Sequence, residues 1–334
     1  MIDLRSDTVT QPVPMMKEAM MAAPTGDDVY GEDPSINELE KKAARITAKE
    51  AALFCSSGTQ SNLLALMTHC QRGDEYIVGQ TAHTYRYEGG GAAVLGSIQP
   101  QPLEFEADGS LNLDRVARFI KPNDFHFART RLFCLENTQS GKVLPMDYLK
   151  AAHSFAASHD LGFHLDGARV FNAAVKLDVD VRKITRHFDT VSCCLSKGLG
   201  APVGSVLCGP QAFINKARRW RKMLGGGMRQ AGILAAAGSY ALDHHIDRLS
   251  EDHENALRLA KGLSDIEKIG VNPNEVQTNI LFACIGDKID ALADHMETKG
   301  ILIDRAQDLR LVTHLDVDQD GIDQTIREFR SFYR

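Results

Sequence analysis

Gly162-Phe-His-Leu-Asp-Gly-Ala-Arg169 begins as an apolar run of strand length and breaks at a carboxylate followed by small residues. It follows a helical pattern over residues 146–159 and precedes a second apolar run, Thr190-Val-Ser-Cys-Cys-Leu195. Short apolar strands alternating with helices indicate a mostly parallel sheet covered by helices, because parallel neighbours need a crossover of helix length between them. The same reading extends outward. Residues 50–55, 75–78, 132–135 and 205–208 have strand character, and residues 37–47 and 62–70 have the spacing of helices. Helical character dominates residues 214–261. After it, 279–285, 290–299, 309–313 and 321–332 suggest a compact unit of strands and helices. The expected class is α/β, with an N-terminal arm and large domain over residues 1–248 and a small C-terminal α+β domain over 249–334.

Composition narrows the function classes. A chain of 334 residues with 43% hydrophobic content can bury a large core. Its net charge of −6 gives no electrostatic footprint for nucleic acid or an anionic membrane surface. No uncharged apolar run is long enough to span a bilayer, and Met1-Ile-Asp-Leu-Arg-Ser-Asp7 lacks the pattern of a signal peptide. Seven cysteines, an odd number, show no paired metal-ligand spacing, and no metal site is expected. These features suit a cytoplasmic protein whose partners are small molecules.

Lys197 lies in Val191-Ser-Cys-Cys-Leu-Ser-Lys-Gly-Leu-Gly-Ala-Pro-Val-Gly204, an apolar strand that breaks into glycines at the lysine with no acidic residue nearby. Most lysines are solvated, yet a partly desolvated amine loses basicity and can condense with an aldehyde to form a Schiff base. A dinucleotide loop is a weaker reading, since the third glycine and the following acid are missing. Asp166 ends an apolar run, where open α/β sheets bind ligands; it reads either as a helix cap or as the partner of a protonated pyridine nitrogen. Arg169 could reach a ring oxygen or a substrate carboxylate. Ser57, Gly58 and Thr59 stand between a strand and a helix, where capping and phosphate binding explain the same residues equally. Arg229, after three glycines, is a surface cation or a second phosphate contact.

Histidines are numerous, and His153, His159, His244 and His245 read as solvated. His83 could stack on a planar cofactor and His126 could handle a proton beside it. Arg310, within Asp308-Leu-Arg-Leu-Val-Thr313, points away from its apolar neighbours if the segment is a strand. It is then either exposed or able to fork onto a carboxylate.

Several longer motifs carry a resemblance. Asp3-Leu-Arg-Ser-Asp-Thr-Val-Thr10, Gly26-Asp-Asp-Val-Tyr-Gly31, His164-Leu-Asp-Gly-Ala-Arg169, Leu195-Ser-Lys-Gly-Leu-Gly200, Gly225-Gly-Gly-Met-Arg-Gln230 and Leu309-Arg-Leu-Val-Thr-His314 look like those of the low-specificity L-threonine aldolases. These are fold-type I pyridoxal-phosphate enzymes with an aspartate-aminotransferase-like fold. The chain departs from the pattern at Gln139-Ser140, where the family carries histidine-asparagine, which bears on the substrate pocket.

The resemblance implies pyridoxal 5'-phosphate as cofactor and cleavage of threonine, allo-threonine and other β-hydroxy-α-amino acids to glycine and an aldehyde. It makes Lys197 the Schiff-base lysine, Asp166 the pyridine-nitrogen partner, Arg169 the neighbour of the ring oxygen, and Ser57, Gly58 and Thr59 the phosphate cradle. His83 would stack on the ring, and Ser6 and Arg310 would hold the substrate carboxylate. Tyr30 and Arg229 would come from an adjacent subunit of a homo-oligomer, a tetramer built from dimers. The base for the β-hydroxyl proton stays open among His83, His126 and a bound water. The rivals are another fold-type I lyase, an aminotransferase, and a non-catalytic metabolite sensor that binds the same cofactor.

Overall fold

The computed structural model describes residues 1–334. Seven strands form the central sheet: β2 (Ala51–Cys55), β3 (Asp74–Gly79), β4 (Gln99–Leu103), β5 (Arg129–Glu136), β6 (Gly162–Asp166), β7 (Thr190–Cys194) and β8 (Ser205–Gly209). Their spatial order is β2-β8-β7-β6-β5-β3-β4. From β7 to β4 every pairing is parallel, and β8 runs antiparallel to both of its neighbours. The central strands are largely buried because helices cover both faces, as in β7, where all five residues are buried.

Helices begin where the side chains can satisfy their free N–H groups. α1 (Pro14–Ala22) and α2 (Pro34–Thr47) both start on proline, and Asp33 caps α2 by accepting from Ser35 N and Ile36 N. Ile36, Leu39 and Ala43 then recur at helical spacing and enter the main core, a cluster of 41 buried residues. α3 (Gly58–His69) starts at Ser57, whose Oγ accepts from Gln60 N at 3.1 Å.

A second core of 22 buried residues gathers the C-terminal elements, among them β9 (Ile280–Cys284), β10 (Ile301–Leu302) and β11 (Asp308–Val312). β9 and β11 pair antiparallel. The chain's beginning joins this unit. β1 (Ile2–Asp3) pairs with β10, Leu4 is fully buried in the second core, and Leu4 O accepts from Val312 N at 2.9 Å. The short apolar stretch Ile2 to Leu4 thus finds its partners about 300 residues away in sequence, and the N-terminal arm begins against the C-terminal unit.

Strand β4 escapes a reading of apolar runs. Gln99-Pro-Gln-Pro-Leu103 carries two prolines, which lack the N–H that a central strand needs. It lies at the sheet edge, paired only with β3, so one side of its backbone is spared that demand. The stretch 214–261 resolves into three helices, Gln211–Met223, Gly232–His244 and Leu249–Ser264, with the glycines at 225–227 in the first break.

Candidate active site

Parallel strands end at one edge of the sheet, and that edge supplies the reactive groups. β5 ends on Glu136 and β6 on Asp166; β7 ends three residues before Lys197, and β3 ends four residues before His83. Between this edge and the second core lies a cleft of 370 Å³. It brings together Ser6, His83, Arg169, Lys197 and Arg310, five of the residues singled out from sequence, and adds Glu136 and Tyr87.

Lys197 is half-buried, and its carbonyl accepts from Thr10 Oγ1 at 3.1 Å. Its amine lines the cleft and has no hydrogen-bond or ion-pair partner in the chain. A lysine sheltered from water without an ion-pair partner is uncommon. Asp166 is buried next to the cleft-lining His83, and its Oδ2 accepts from Asn62 Nδ2 at 2.8 Å and Oδ1 from Ala168 N at 3.1 Å. Both donors are neutral, and no lysine or arginine pairs with this carboxylate. A buried carboxylate held only by neutral donors is prepared for a positive partner in the cleft.

Asn62 connects this carboxylate to a longer path. Its Oδ1 lies 3.3 Å from His164 Nε2; His164 Nδ1 lies 2.9 Å from Thr190 Oγ1, which is 2.8 Å from His69 Nε2. Burial pushes His164 down to about 3 and His69 down to about 4, so both imidazoles are neutral near pH 7. The same Asn62 Nδ2 donates to Glu88 Oε1 at 2.9 Å. Glu88 is in turn 2.9 Å from His83 Nδ1, and the groups of His83, Glu88 and Asp166 lie within 4.8 Å of one another. The hydrogen bond to Glu88 raises the His83 pKa, and burial raises that of Glu88.

The opposite wall is cationic. Arg169 reaches Asp7 with two hydrogen bonds, 2.7 and 2.6 Å, and Asn279 Nδ2 adds a third contact to Asp7 at 3.3 Å. Burial would raise the Asp7 carboxyl, but the guanidinium outweighs it and holds Asp7 down at about 2. Arg310 differs. It stands on β11 between Leu309 and Leu311, both fully buried, and opposite Phe282 of β9, so the pair faces the cleft together. Its Nε is buried without any hydrogen-bond partner, and burial lowers its pKa. A guanidinium left short of an acceptor at the mouth of a cleft is a place for a ligand carboxylate.

Ser57, Gly58 and Thr59 open α3 one turn before Asn62, the amide that donates to Asp166; none of the three lines the cleft itself. A Cβ on Gly58 would come within 2.8 Å of Cys194 Sγ, so only glycine lets this helix start so close to the end of β7. Ser140, at one of the two positions that depart from the family pattern, lines the cleft.

Three expected residues lie elsewhere in the chain. His126 is exposed in the loop 120–128, with Nδ1 2.7 Å from Asp124 Oδ1, and does not line the cleft. The acid two residues away captures the ring on the surface, an outcome that residue type alone does not reveal. Tyr30 is 75% exposed, and Arg229 is exposed with Nη1 2.7 Å from Asp27 Oδ2. Neither reaches the cleft of its own chain. Conversely Asp7, Asn62, Glu88 and Glu136 were not singled out from sequence. Asn62 had a signal, a lone amide leading the apolar run Leu63-Leu-Ala-Leu-Met67. Asp7 lies in Asp3-Leu-Arg-Ser-Asp-Thr-Val-Thr10, where nothing local distinguishes it from Asp3.

The family model described as Beta-eliminating lyase matches residues 3–285. The chain belongs to the β-eliminating lyase family. Within and around that family, the chain is 54% identical over 333 residues to the Escherichia coli (strain K12) protein named low specificity L-threonine aldolase, covering 99% of each. It is 42% identical to low-specificity L-threonine aldolase 1 of Arabidopsis thaliana, covering 98% of this chain and 95% of that one. Among solved structures, Leishmania major threonine aldolase superposes with a TM-score of 0.85 at 20% identity over the full length of both chains. Sphingomonas wittichii serine palmitoyltransferase gives 0.75 at 18% identity over 99% of this chain and 86% of that one. The last two establish the α/β fold of this β-eliminating lyase family member: a mostly parallel sheet, covered by helices, of the fold-type I kind.

Proposed function

We propose that the chain is a pyridoxal-phosphate-dependent aldehyde-lyase that splits threonine and related β-hydroxy-α-amino acids into glycine and an aldehyde. The observation that carries this reading is the pairing, across one cleft, of an unpartnered lysine amine with an unpartnered arginine. Lys197 offers attachment for an aldehyde cofactor, and Arg310 offers an anchor for an amino-acid carboxylate. The names of the E. coli and Arabidopsis relatives support the substrate class.

The residues present fit the cofactor. Asp166, buried and without a cation, would hold the ring nitrogen in its protonated form. The start of α3 at Ser57, Gly58 and Thr59 would take the phosphate. When bound, pyridoxal phosphate supplies an aldehyde for the amine and an electron-withdrawing ring that stabilises negative charge at the substrate's α-carbon. Arg310 and Ser6 fix the substrate carboxylate and so decide which bond at the α-carbon stands ready to break. Arg169, held rigid by Asp7, presents its remaining N–H groups to the cleft. His83 would cover one face of the ring, its orientation set by Glu88.

Tyr30 and Arg229, displayed on the surface beside each other through Asp27 and the backbone bond from Asp28 N to Arg229 O, would complete the cleft of a second copy. A homotetramer built from such dimers is the assembly we propose. All seven cysteines are unpaired and six are buried, which supports a reducing cytoplasm as its compartment; no helix is long and apolar enough to cross a membrane.

Incubating the protein with L-threonine and pyridoxal phosphate should release acetaldehyde and glycine in equal amounts. Pyruvate, ammonia or a keto acid without aldehyde would favour a different lyase or an aminotransferase. Lys197→Ala should lose both the visible absorbance of the bound cofactor and turnover, and full activity in that variant would remove the assignment.

A further inference from the structure

We infer that Glu136 is the group that takes the β-hydroxyl proton in this cleft, an assignment that rests on the aldehyde-lyase reading above. Glu136 is the last residue of β5 and stands opposite Asp166 in the parallel register, so both side chains project from the same face of the sheet. It lines the cleft with Lys197, Arg169 and Arg310. Its Oε2 accepts from the backbone N–H of His83 at 2.8 Å, and no group of the protein bonds Oε1. One oxygen is thus a fixed anchor while the other remains available to a substrate.

The alternatives in the same chain are weaker. His126 is on the surface, 2.7 Å from Asp124. His83 has Nδ1 committed to Glu88, so only Nε2 is left for a substrate, on the ring that would lie over the cofactor face. Burial, and then the neighbouring Asp166 charge, push the Glu136 carboxyl up to about 7. A base works best when its pKa lies near the operating pH. The charged and titratable groups that face Glu136 are Asp166 from β6, Arg169 just beyond it, His83 from the helix α4 (His83–Arg86), and Lys197 after β7. Asp166 favours the protonated carboxyl; His83 and the two cations oppose it.

The proton balance closes within the site. As the bond between the α- and β-carbons breaks, the hydroxyl proton passes to the Glu136 carboxylate and the O–H electron pair becomes the second bond of the aldehyde. The electron pair of the broken carbon–carbon bond stays with the glycine fragment. That fragment takes one proton, returned from Glu136, before it leaves. No oxidant or further reactant is required.

The test compares the cofactor-loaded wild type with Glu136→Gln, which keeps size and the acceptor for His83 N–H but cannot carry a proton. Acetaldehyde release from threonine should fall about 100-fold in kcat with KM little changed, and the pH limb near neutrality should vanish. Two measurements stand apart from turnover. Cofactor affinity, read by absorbance titration with pyridoxal phosphate, should stay within about threefold, because Glu136 is assigned to proton transfer and not to holding the ring. Infrared difference spectra should show a carboxyl band growing through the neutral range in the wild type and missing in the variant. If Glu136→Gln does not fold, Glu136→Asp carries the test: it should keep a titrating limb at reduced rate, and a full rate without that limb would count against the assignment. A wild type that releases no aldehyde overturns the reaction itself. An active wild type with an equally active Glu136→Gln overturns Glu136 alone.

Discussion

Arg169 meets Asp7 through two parallel hydrogen bonds, Nε to Oδ2 at 2.7 Å and Nη2 to Oδ1 at 2.6 Å, with the carboxylate fully buried. The pair ties the N-terminal arm to the residue that follows β6, while Asn279 adds a tie to the C-terminal unit. One ion pair therefore holds three stretches of chain around the cleft.

Removing one partner of a buried pair leaves an uncompensated charge, so Asp7→Ala should cost about 3–5 kcal/mol of stability. Asp7→Asn, which keeps an acceptor, should cost less. The sign of the pH dependence follows from the depressed carboxyl. Its contribution is present above the unfolded value of about 3.9 and is lost as pH falls toward the folded value of about 2. Urea unfolding at pH 7 and at acid pH should show the wild type and Asp7→Asn converging on acidification. A constant gap would contradict the pairing.

Arg310 predicts opposite movements of stability and catalysis. Its buried Nε has no acceptor, and a carboxylate bound in the cleft would supply one. Arg310→Leu should leave stability unchanged or raise it slightly, while kcat/KM for threonine falls between about 10- and 150-fold, the worth of a charged hydrogen bond at about 1.5–3 kcal/mol. Thermal melts and steady-state kinetics on one preparation check both arms. A variant that loses stability and keeps kcat/KM would show that Arg310 supports the fold and not the substrate.

Legibility in the sequence followed the physics of each position. Asp166 and Lys197 could be read because they interrupt apolar strands, and a polar group at a strand end faces the ligand edge whatever the tertiary details. Arg310 could be read because period-two alternation separates it from Leu309 and Leu311. Glu136 also ends a strand, one residue past the apolar run 132–135, but nothing local marks it, and the role proposed for it depends on the register that sets it beside Asp166. Asp7, Asn62 and Glu88 act through partners 162, 104 and 26 positions away, a kind of contact that local pattern does not encode. Strand β4 was hidden by Pro100 and Pro102, which only an edge position tolerates.

Asn62 donates one amide to two buried carboxylates, Asp166 at 2.8 Å and Glu88 at 2.9 Å. Asn62→Leu should cost about 1–3 kcal/mol, since both acceptors lose a donor they cannot replace with water. Asn62→Asp should be worse and should worsen as pH rises, because a third carboxylate beside two others has a raised pKa and ionises only at a cost. Denaturant unfolding of both variants at a mildly acidic and a mildly alkaline pH decides the matter. An Asn62→Asp protein equally stable at both pH values would mean that the three groups do not sense one another.

Glu88 sets the protonation of His83. The hydrogen bond from His83 Nδ1 is the largest influence on the imidazole and outweighs burial, which acts in the other direction. A histidine raised in this way adds stability that is complete below the unfolded value of about 6.5 and disappears as pH climbs through the folded value. Glu88→Gln keeps an acceptor for Asn62 but removes the charge. Burial and Lys197 then act on His83 without their main opponent, and its titration should move downward, to or below the ordinary histidine value. Histidine-selective NMR titration of the two proteins reads the shift directly. If His83 titrates at the same pH in both, its orientation and charge are set by something other than Glu88, and the carboxylate belongs to Asn62 alone.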